Sequence, residues 1–181
     1  MSRTSMDMTR GSLKKQILFF SIPLMLSNLL QVLFNMSDIA VIGQFAGAMS
    51  LGAVGSTTTL ISMYTGFLIG LSGGINVLTA LYIGARNRKS VSETVHSAFL
   101  VSLVVGLILL ILGVSTSRGV LVLLNTKEEL IDKAALYIRI YFLGIPALAL
   151  YNFGNAVFSA AGDTGRPLRY LFLSGIVNVI L

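Results

Sequence analysis

The sequence is short of the residues on which most soluble enzymes and metalloproteins depend. It contains no cysteine, which excludes disulfide scaffolds, cysteine-based zinc sites and thiol catalysis. Its single histidine, His96, argues against a metal site built from several histidines. Charged residues make up only 11% of the 181 residues, against about 25% in soluble domains. So little charge cannot coat a water-facing surface, which argues against a cytosolic globular enzyme.

The apolar residues form long runs, and the charges gather between them. Hydrophobic residues make up 55% of the sequence, which also excludes intrinsic disorder. The net charge of +6 would suit nucleic acid, but the basic residues form no single patch interleaved with aromatics. Short charged clusters between apolar runs are typical of a protein with several transmembrane helices. We therefore expect the lipid bilayer, and no nucleic acid, as a partner.

Five apolar segments are candidates for transmembrane helices, since a bilayer core of roughly 30 Å needs about 20 apolar residues. They cover residues 16–42, 51–84, 95–115 and 134–161, and the fifth runs from about 167 to 181. Pro146 interrupts the fourth span and predicts a kink there. The sequence thus predicts an all-α transmembrane bundle over residues 16–181, preceded by a cytoplasmic segment, 1–15.

The basic residues predict the orientation of these spans. Most of them precede the first span, follow the second or precede the fifth: Arg3, Arg10, Lys14, Lys15, Arg86, Arg88, Lys89, Arg166 and Arg169. The opposite side, which includes the loop between the first and second spans, carries fewer basic residues, mixed with acidic ones. By the positive-inside rule the N-terminus is cytoplasmic. We expect an integral protein of the plasma (inner) membrane.

A stripe of polar side chains crosses the first span. Asn28, Gln31, Asn35 and Asp38 follow one another at spacings of three and four residues, which places them on one helix face. Lipid cannot satisfy these groups, so the stripe faces either neighbouring helices or a water-filled pathway. An intramembrane carboxylate costs roughly 2.5–3.5 kcal/mol or more. We favour a pathway in which Asp38 exchanges a proton or binds a cation.

Two later spans carry weaker polar patterns. Asn152, Asn155 and Ser159 share a face of the fourth span, and Ser174 and Asn178 share a face of the fifth. Amides of this kind suit either a cavity for large organic cations or hydrogen bonds between packed helices. The spacing alone leaves both interpretations open.

The second span contains small residues at the spacing that allows helices to pack closely. Gly66, Gly70 and Gly74 are four residues apart. We therefore predict that this face of the second span lies against another helix.

Several short motifs follow one another in the order known from one transporter family. They are Ile22-Pro23-Leu24 with Ser27-Asn28 and Gln31 in the first span, Asp38-Ile39-Ala40-Val41-Ile42-Gly43-Gln44 at its end, Ile83-Gly84-Ala85-Arg86-Asn87 after the second, and Gly162-Asp163-Thr164 with Pro167 before the fifth. In this order and spacing, the sequence resembles the multidrug and toxic compound extrusion (MATE) antiporters over nearly the whole chain. It departs from them at Phe34, where many relatives have tyrosine, and in ending inside the first lobe.

The resemblance implies twelve helices in two six-helix lobes, of which this chain would hold five spans of the N-terminal lobe, the last cut short. It also implies alternating access driven by Na⁺ or H⁺, without a further cofactor. In this family the acidic residue matched by Asp38 couples cation binding to export, helped by the asparagine matched by Asn178. Asp38 would also be the metal ligand if the coupling ion is Na⁺. The substrate cavity would be lined by Gln31, Asn35, Asn152 and Asn155.

Three functions stay open from the sequence. The leading one is a Na⁺- or H⁺-coupled antiporter that exports amphipathic, cationic drugs, with small organic cations as substrates. A lipid-linked oligosaccharide flippase of the same superfamily is an alternative, although it would be expected to carry more basic residues inside its spans. The third is a truncated membrane fragment without transport of its own, or a half that needs the missing second lobe. No nucleophile–base pair or metal-ligand set predicts an enzyme.

Overall fold

The computed structural model describes residues 13–180, and six α-helices account for most of them. The helices are α1 (Leu13–Val41), α2 (Gly47–Gly84), α3 (Arg88–Leu123), α4 (Glu128–Leu143), α5 (Ile145–Ala160) and α6 (Gly165–Ile180). No strand occurs within this range, so the predicted all-α fold is confirmed. Most of the predicted cytoplasmic segment, residues 1–12, lies outside the described residues, as does Leu181.

The helices reproduce the predicted spans with two differences. By length and composition, the helical stretch Lys14–Gly84 and α3 can each cross a membrane, and α4 and α5 make a third candidate, bent by 48°. The bend confirms the kink predicted at Pro146, which lies in the first turn of α5. The loop expected between the first two spans is instead a π-helical turn, Ile42–Ala46, and Gly47 with φ of +76° separates α1 from α2. α3 extends beyond its predicted span at both ends, through a mostly polar turn before it and a mixed segment that finishes with apolar residues after it.

The helices pack in two groups. α1 lies along α6, whereas α2, α3, α4 and α5 pack on one another. The centre of the second group is fully buried and apolar, with Leu68, Leu121, Ile138 and Phe142 inaccessible to solvent. Many large apolar side chains point outward instead, and Ile111 of α3 is 66% exposed. An apolar exterior of this kind suits contact with lipid.

Close helix packing occurs at glycines other than those predicted. A Cβ at Gly106 of α3 would lie 2.7 Å from the Cα atom of Pro146, and one at Gly113 would overlap the ring of Phe142. These glycines let α3 approach the bent α4–α5 pair closely, as small residues do between membrane helices. On the other side of the molecule, Gly175 of α6 packs against the Phe34 ring in the same way.

The packing predicted for the second span is wrong within the described residues. A Cβ at Gly66, Gly70 or Gly74 of α2 would meet no atom within 4 Å, and all three glycines are exposed. Their four-residue spacing does produce a smooth helix face, as predicted. Spacing within one helix cannot show whether a second helix lies on that face, and here none does.

The turn between α5 and α6 is fixed to α1 by buried polar groups. Asp163 Oδ1 accepts a hydrogen bond from the Arg166 backbone N–H at 3.2 Å, and its Oδ2 pairs with Arg166 Nε at 3.0 Å. The Thr164 hydroxyl donates to the Phe20 carbonyl of α1 at 3.4 Å. Asp163 and Thr164 are only 4% and 5% exposed. The Asp163 carboxylate therefore caps α6, while Thr164 ties the turn to the N-terminal half of α1.

Removing this cap should destabilise the bundle. We expect Asp163→Ala to lower the free energy of unfolding by about 1–2 kcal/mol, because the first turn of α6 loses its side-chain acceptor. Asp163→Asn keeps an oxygen in the same place and should recover most of that loss. Unfolding of the detergent-solubilised protein, followed by helical circular dichroism, measures both variants. An asparagine variant as unstable as the alanine variant would assign the stabilisation to the ion pair with Arg166 instead.

Candidate functional site

The polar stripe of α1 forms one side of an open depression. Asn28, Gln31 and Asn35 line it together with Val32 and Met36, and its volume is about 440 Å³. All three amides are exposed. Their spacing therefore places them on one face, as predicted, and this face is not covered by another described helix.

Asp38 lies at the C-terminal end of this stripe, against α6. The Asn178 Nδ2 group of α6 donates a hydrogen bond to Asp38 Oδ1 at 3.3 Å. One turn below, Phe34 packs on Gly175, which brings the two helices close together at this level. The two residues predicted to act in ion coupling are thus in direct contact, although they are 140 positions apart in the chain.

Two tyrosines of α4, one turn apart, have partners on other helices. Tyr137 interacts electrostatically with Asp38 of α1 and with Tyr141. The Tyr141 hydroxyl lies 3.4 Å from the Thr65 hydroxyl of α2. Tyr137 was not among the predicted site residues. Its four-residue spacing from Tyr141, which places both phenols on one face of α4, was the available signal.

The two amides predicted from the fourth span lie elsewhere. Asn152 Nδ2 donates to the Leu148 carbonyl within α5 at 2.9 Å. The Asn155 side-chain oxygen is buried and has no hydrogen-bond partner within residues 13–180. Neither amide lines the depression that Gln31 and Asn35 share. The structure therefore groups Gln31 and Asn35 with Asp38 on α1, and leaves Asn152 and Asn155 on α5.

The site offers one negative charge with neutral polar partners. Asp38 is the only acidic residue in α1, the Asn178 amide donates to it, and the Tyr137 phenol interacts with it electrostatically. Across the described residues, no group of three or more histidine or acidic side chains could hold a metal ion.

Comparison with known proteins gives the same family over most of the chain. Residues 23–181 match the MatE family. The chain is 35% identical over 177 residues to "Probable multidrug resistance protein YpnP" of Bacillus subtilis, covering 97% of this chain and 39% of that protein. It is 26% identical over 165 residues to an "FAD transporter" of Shewanella oneidensis, covering 91% of this chain and 36% of that protein. The chain therefore spans about two-fifths of the length of the curated relatives it matches.

Solved structures agree with this assignment. A crystal structure of a MATE protein in the bent conformation superposes with a TM-score of 0.89 at 26% identity, covering 98% of this chain and 40% of that one. A crystal structure in the straight conformation gives a TM-score of 0.88 at 25% identity, with the same coverage. The helix order, the sequence match and the fold lead to one assignment: the chain belongs to the multidrug and toxic compound extrusion (MATE) family, whose members are transporters and not enzymes.

Proposed function

We propose that the complete protein is a Na⁺- or H⁺-coupled antiporter that exports amphipathic organic cations, and that this chain supplies its coupling carboxylate. The contact between Asp38 on α1 and Asn178 on α6 carries this proposal. It joins two helices of one packing group at a charged residue that lipid cannot solvate. Names such as "Probable multidrug resistance protein", carried by relatives, support the export of drugs.

The single charge of Asp38 explains how exchange would work. A proton or Na⁺ at this carboxylate neutralises the charge that attracts an organic cation, so the two ligands compete. Neutralisation also weakens the hydrogen bond from Asn178, since bonds to charged acceptors are stronger than bonds to neutral ones. The position of α1 against α6 then depends on which cation is bound. An ion gradient drives export only through this difference in affinity between two states.

The groups near Asp38 favour a cationic substrate. Asn35 and Gln31 offer amide hydrogen bonds one and two turns away, and the Tyr137 and Tyr141 rings of α4 offer cation–π contacts. No lysine or arginine lies among these residues to bind an anion. We also propose that the N-terminus is cytoplasmic and that the protein lies in the plasma membrane, because basic residues gather where α2 meets α3 and in the first turns of α6.

Transport in inverted membrane vesicles tests the proposal. Vesicles that contain the complete protein would receive a fluorescent cationic dye and an imposed Na⁺ or H⁺ gradient. We expect one gradient to drive dye movement and so to name the coupling ion. FAD, an anionic dinucleotide, serves as the control substrate because one relative is named for it. Transport of FAD and not of the cationic dye would contradict the proposed substrate class.

Removing the partner of Asp38 should weaken coupling without abolishing it. We expect Asn178→Ala to reduce gradient-driven dye movement roughly fivefold, because one exposed hydrogen bond to a carboxylate is worth about 1 kcal/mol. Ser174→Ala, one turn earlier on the same helix, is the matched control and should transport like the wild type. Equal rates for Asn178→Ala and the wild type would show that the contact between α1 and α6 is not part of coupling.

A further inference from the structure

A second, apolar groove runs between α1 and α6, away from the polar stripe. Its walls are Leu26, Leu29 and Leu30 of α1 and, from α6, Leu168, Arg169, Phe172 and Leu173. No residue of the polar stripe lines it. Its volume is about 620 Å³, within the range of roughly 300–1,000 Å³ typical of ligand pockets. Apart from Arg169, the lining is entirely apolar.

Arg169 is the charged group of this groove. It lies one turn, about 6 Å, after the start of α6 at Gly165. The groove thus has a positive charge near the end that carries the α5–α6 turn, while Phe172 and Leu173 lie farther along the helix. A ligand that fits this arrangement has an anionic head at the turn and an apolar tail along the helices.

The two arginines of α6 differ in their partners. Arg166 pairs with the buried carboxylate of Asp163 and lies over the Phe158 ring, 5.9 Å from its centroid. Arg169 is exposed, and no acidic residue of the described chain comes within ion-pair distance of it. A guanidinium beside lipid is costly without an anionic partner, and guanidinium binds phosphate with two parallel hydrogen bonds.

We propose that this groove binds an anionic phospholipid, with an acyl chain on the leucines and Phe172 and the phosphate on Arg169. Basic pockets between transmembrane helices are known sites for anionic headgroups. A zwitterionic lipid carries its own cation beside the phosphate, so its binding is strengthened less by Arg169. We therefore expect the groove to prefer lipids with a net negative charge. The lipid would lie in contact with α1, the helix that also carries Asp38.

Fluorescence quenching by brominated lipids tests this site, because residues 1–181 contain no tryptophan. Phe172→Trp places a single tryptophan in the groove, provided that any tryptophan in the rest of the complete protein is replaced by phenylalanine. The complete protein would be reconstituted in phosphatidylcholine vesicles containing a small fraction of brominated phosphatidylglycerol or of brominated phosphatidylcholine. We expect phosphatidylglycerol to bind about fivefold more strongly, as one arginine near the headgroups contributes about 1 kcal/mol. Helical circular dichroism would confirm that each variant is folded.

Three control variants test whether Arg169 and the groove cause this lipid preference. Arg169→Gln in the Phe172→Trp background should remove the preference, whereas Arg88→Gln, an exposed arginine of α3, should leave it. Ile111→Trp, on the lipid-facing surface of α3, should show no preference for either lipid. Equal quenching by the two lipids at Phe172→Trp, or a preference that survives Arg169→Gln, would overturn the proposal. Absence of quenching by both lipids would also overturn it, by showing that protein covers the groove.

Discussion

Replacing Asp38 by asparagine is expected to reduce gradient-driven dye export by about 5–150-fold, the range of typical coupling between two ligands. Asparagine has nearly the same shape and still accepts a hydrogen bond from Asn178, so the contact between α1 and α6 is retained. Asparagine cannot carry a negative charge or exchange a proton. Neither the coupling ion nor the organic cation is then attracted to the site by charge, so the two no longer compete there. Uptake of a cationic dye into inverted vesicles, whose cytoplasmic face points outward, measures the loss under the driving gradient.

The matched control is another aspartate, outside the polar stripe and the predicted site. Asp132 of α4 pairs with Arg118 at 3.1 Å, and its side chain is 81% exposed. We expect Asp132→Asn to transport at the wild-type rate, since exposed ion pairs contribute little. Normal transport by Asp38→Asn would mean that this carboxylate is structural. If the complete wild-type protein moves no dye under either gradient although it is folded in the membrane, the proposed antiport of organic cations is contradicted.

The largest effect on stability is expected at Gly113 of α3. An added methyl group would overlap the ring of Phe142, which is fully buried and has no free space into which to turn. Tyr64 also holds that ring in an edge-to-face contact, with 4.7 Å between the ring centroids. We expect Gly113→Ala to lower the free energy of unfolding by about 1–3 kcal/mol, the usual cost of overpacking. Unfolding in detergent measures the change.

A glycine on the neighbouring helix provides the opposite case. Gly66 of α2 has no atom within 4 Å of the position that a Cβ would occupy. We expect Gly66→Ala to stabilise the protein by up to about 1 kcal/mol, because alanine has the higher helix propensity. The two substitutions are chemically identical. If they change the free energy of unfolding in opposite directions, the difference is due to packing. A destabilised Gly66→Ala variant in the complete protein would show instead that another part of the protein packs on this face.

The helical elements and the face of each polar pattern could be predicted from the sequence. Bilayer thickness sets the length of an apolar run, and the helical period places Asn28, Gln31, Asn35 and Asp38 on one face. Pro146 marked the bend, because a proline disrupts the backbone hydrogen bonds of a helix. Family resemblance added the link between Asp38 and Asn178. Each of these inferences depends on residues close in sequence or on motifs already known.

Partners across the bundle were decided only by the tertiary structure. Hydropathy cannot select them, since lipid chains are as apolar as leucine and helices associate through shape and a few polar contacts. The sequence therefore assigned close packing to Gly66 and its neighbours, whereas the fold uses Gly106, Gly113 and Gly175. The arrangement of the helices likewise brings Tyr137 near Asp38 and leaves an arginine without an acidic partner in an apolar groove. The sequence determined what each helix can present, and packing determined what it meets.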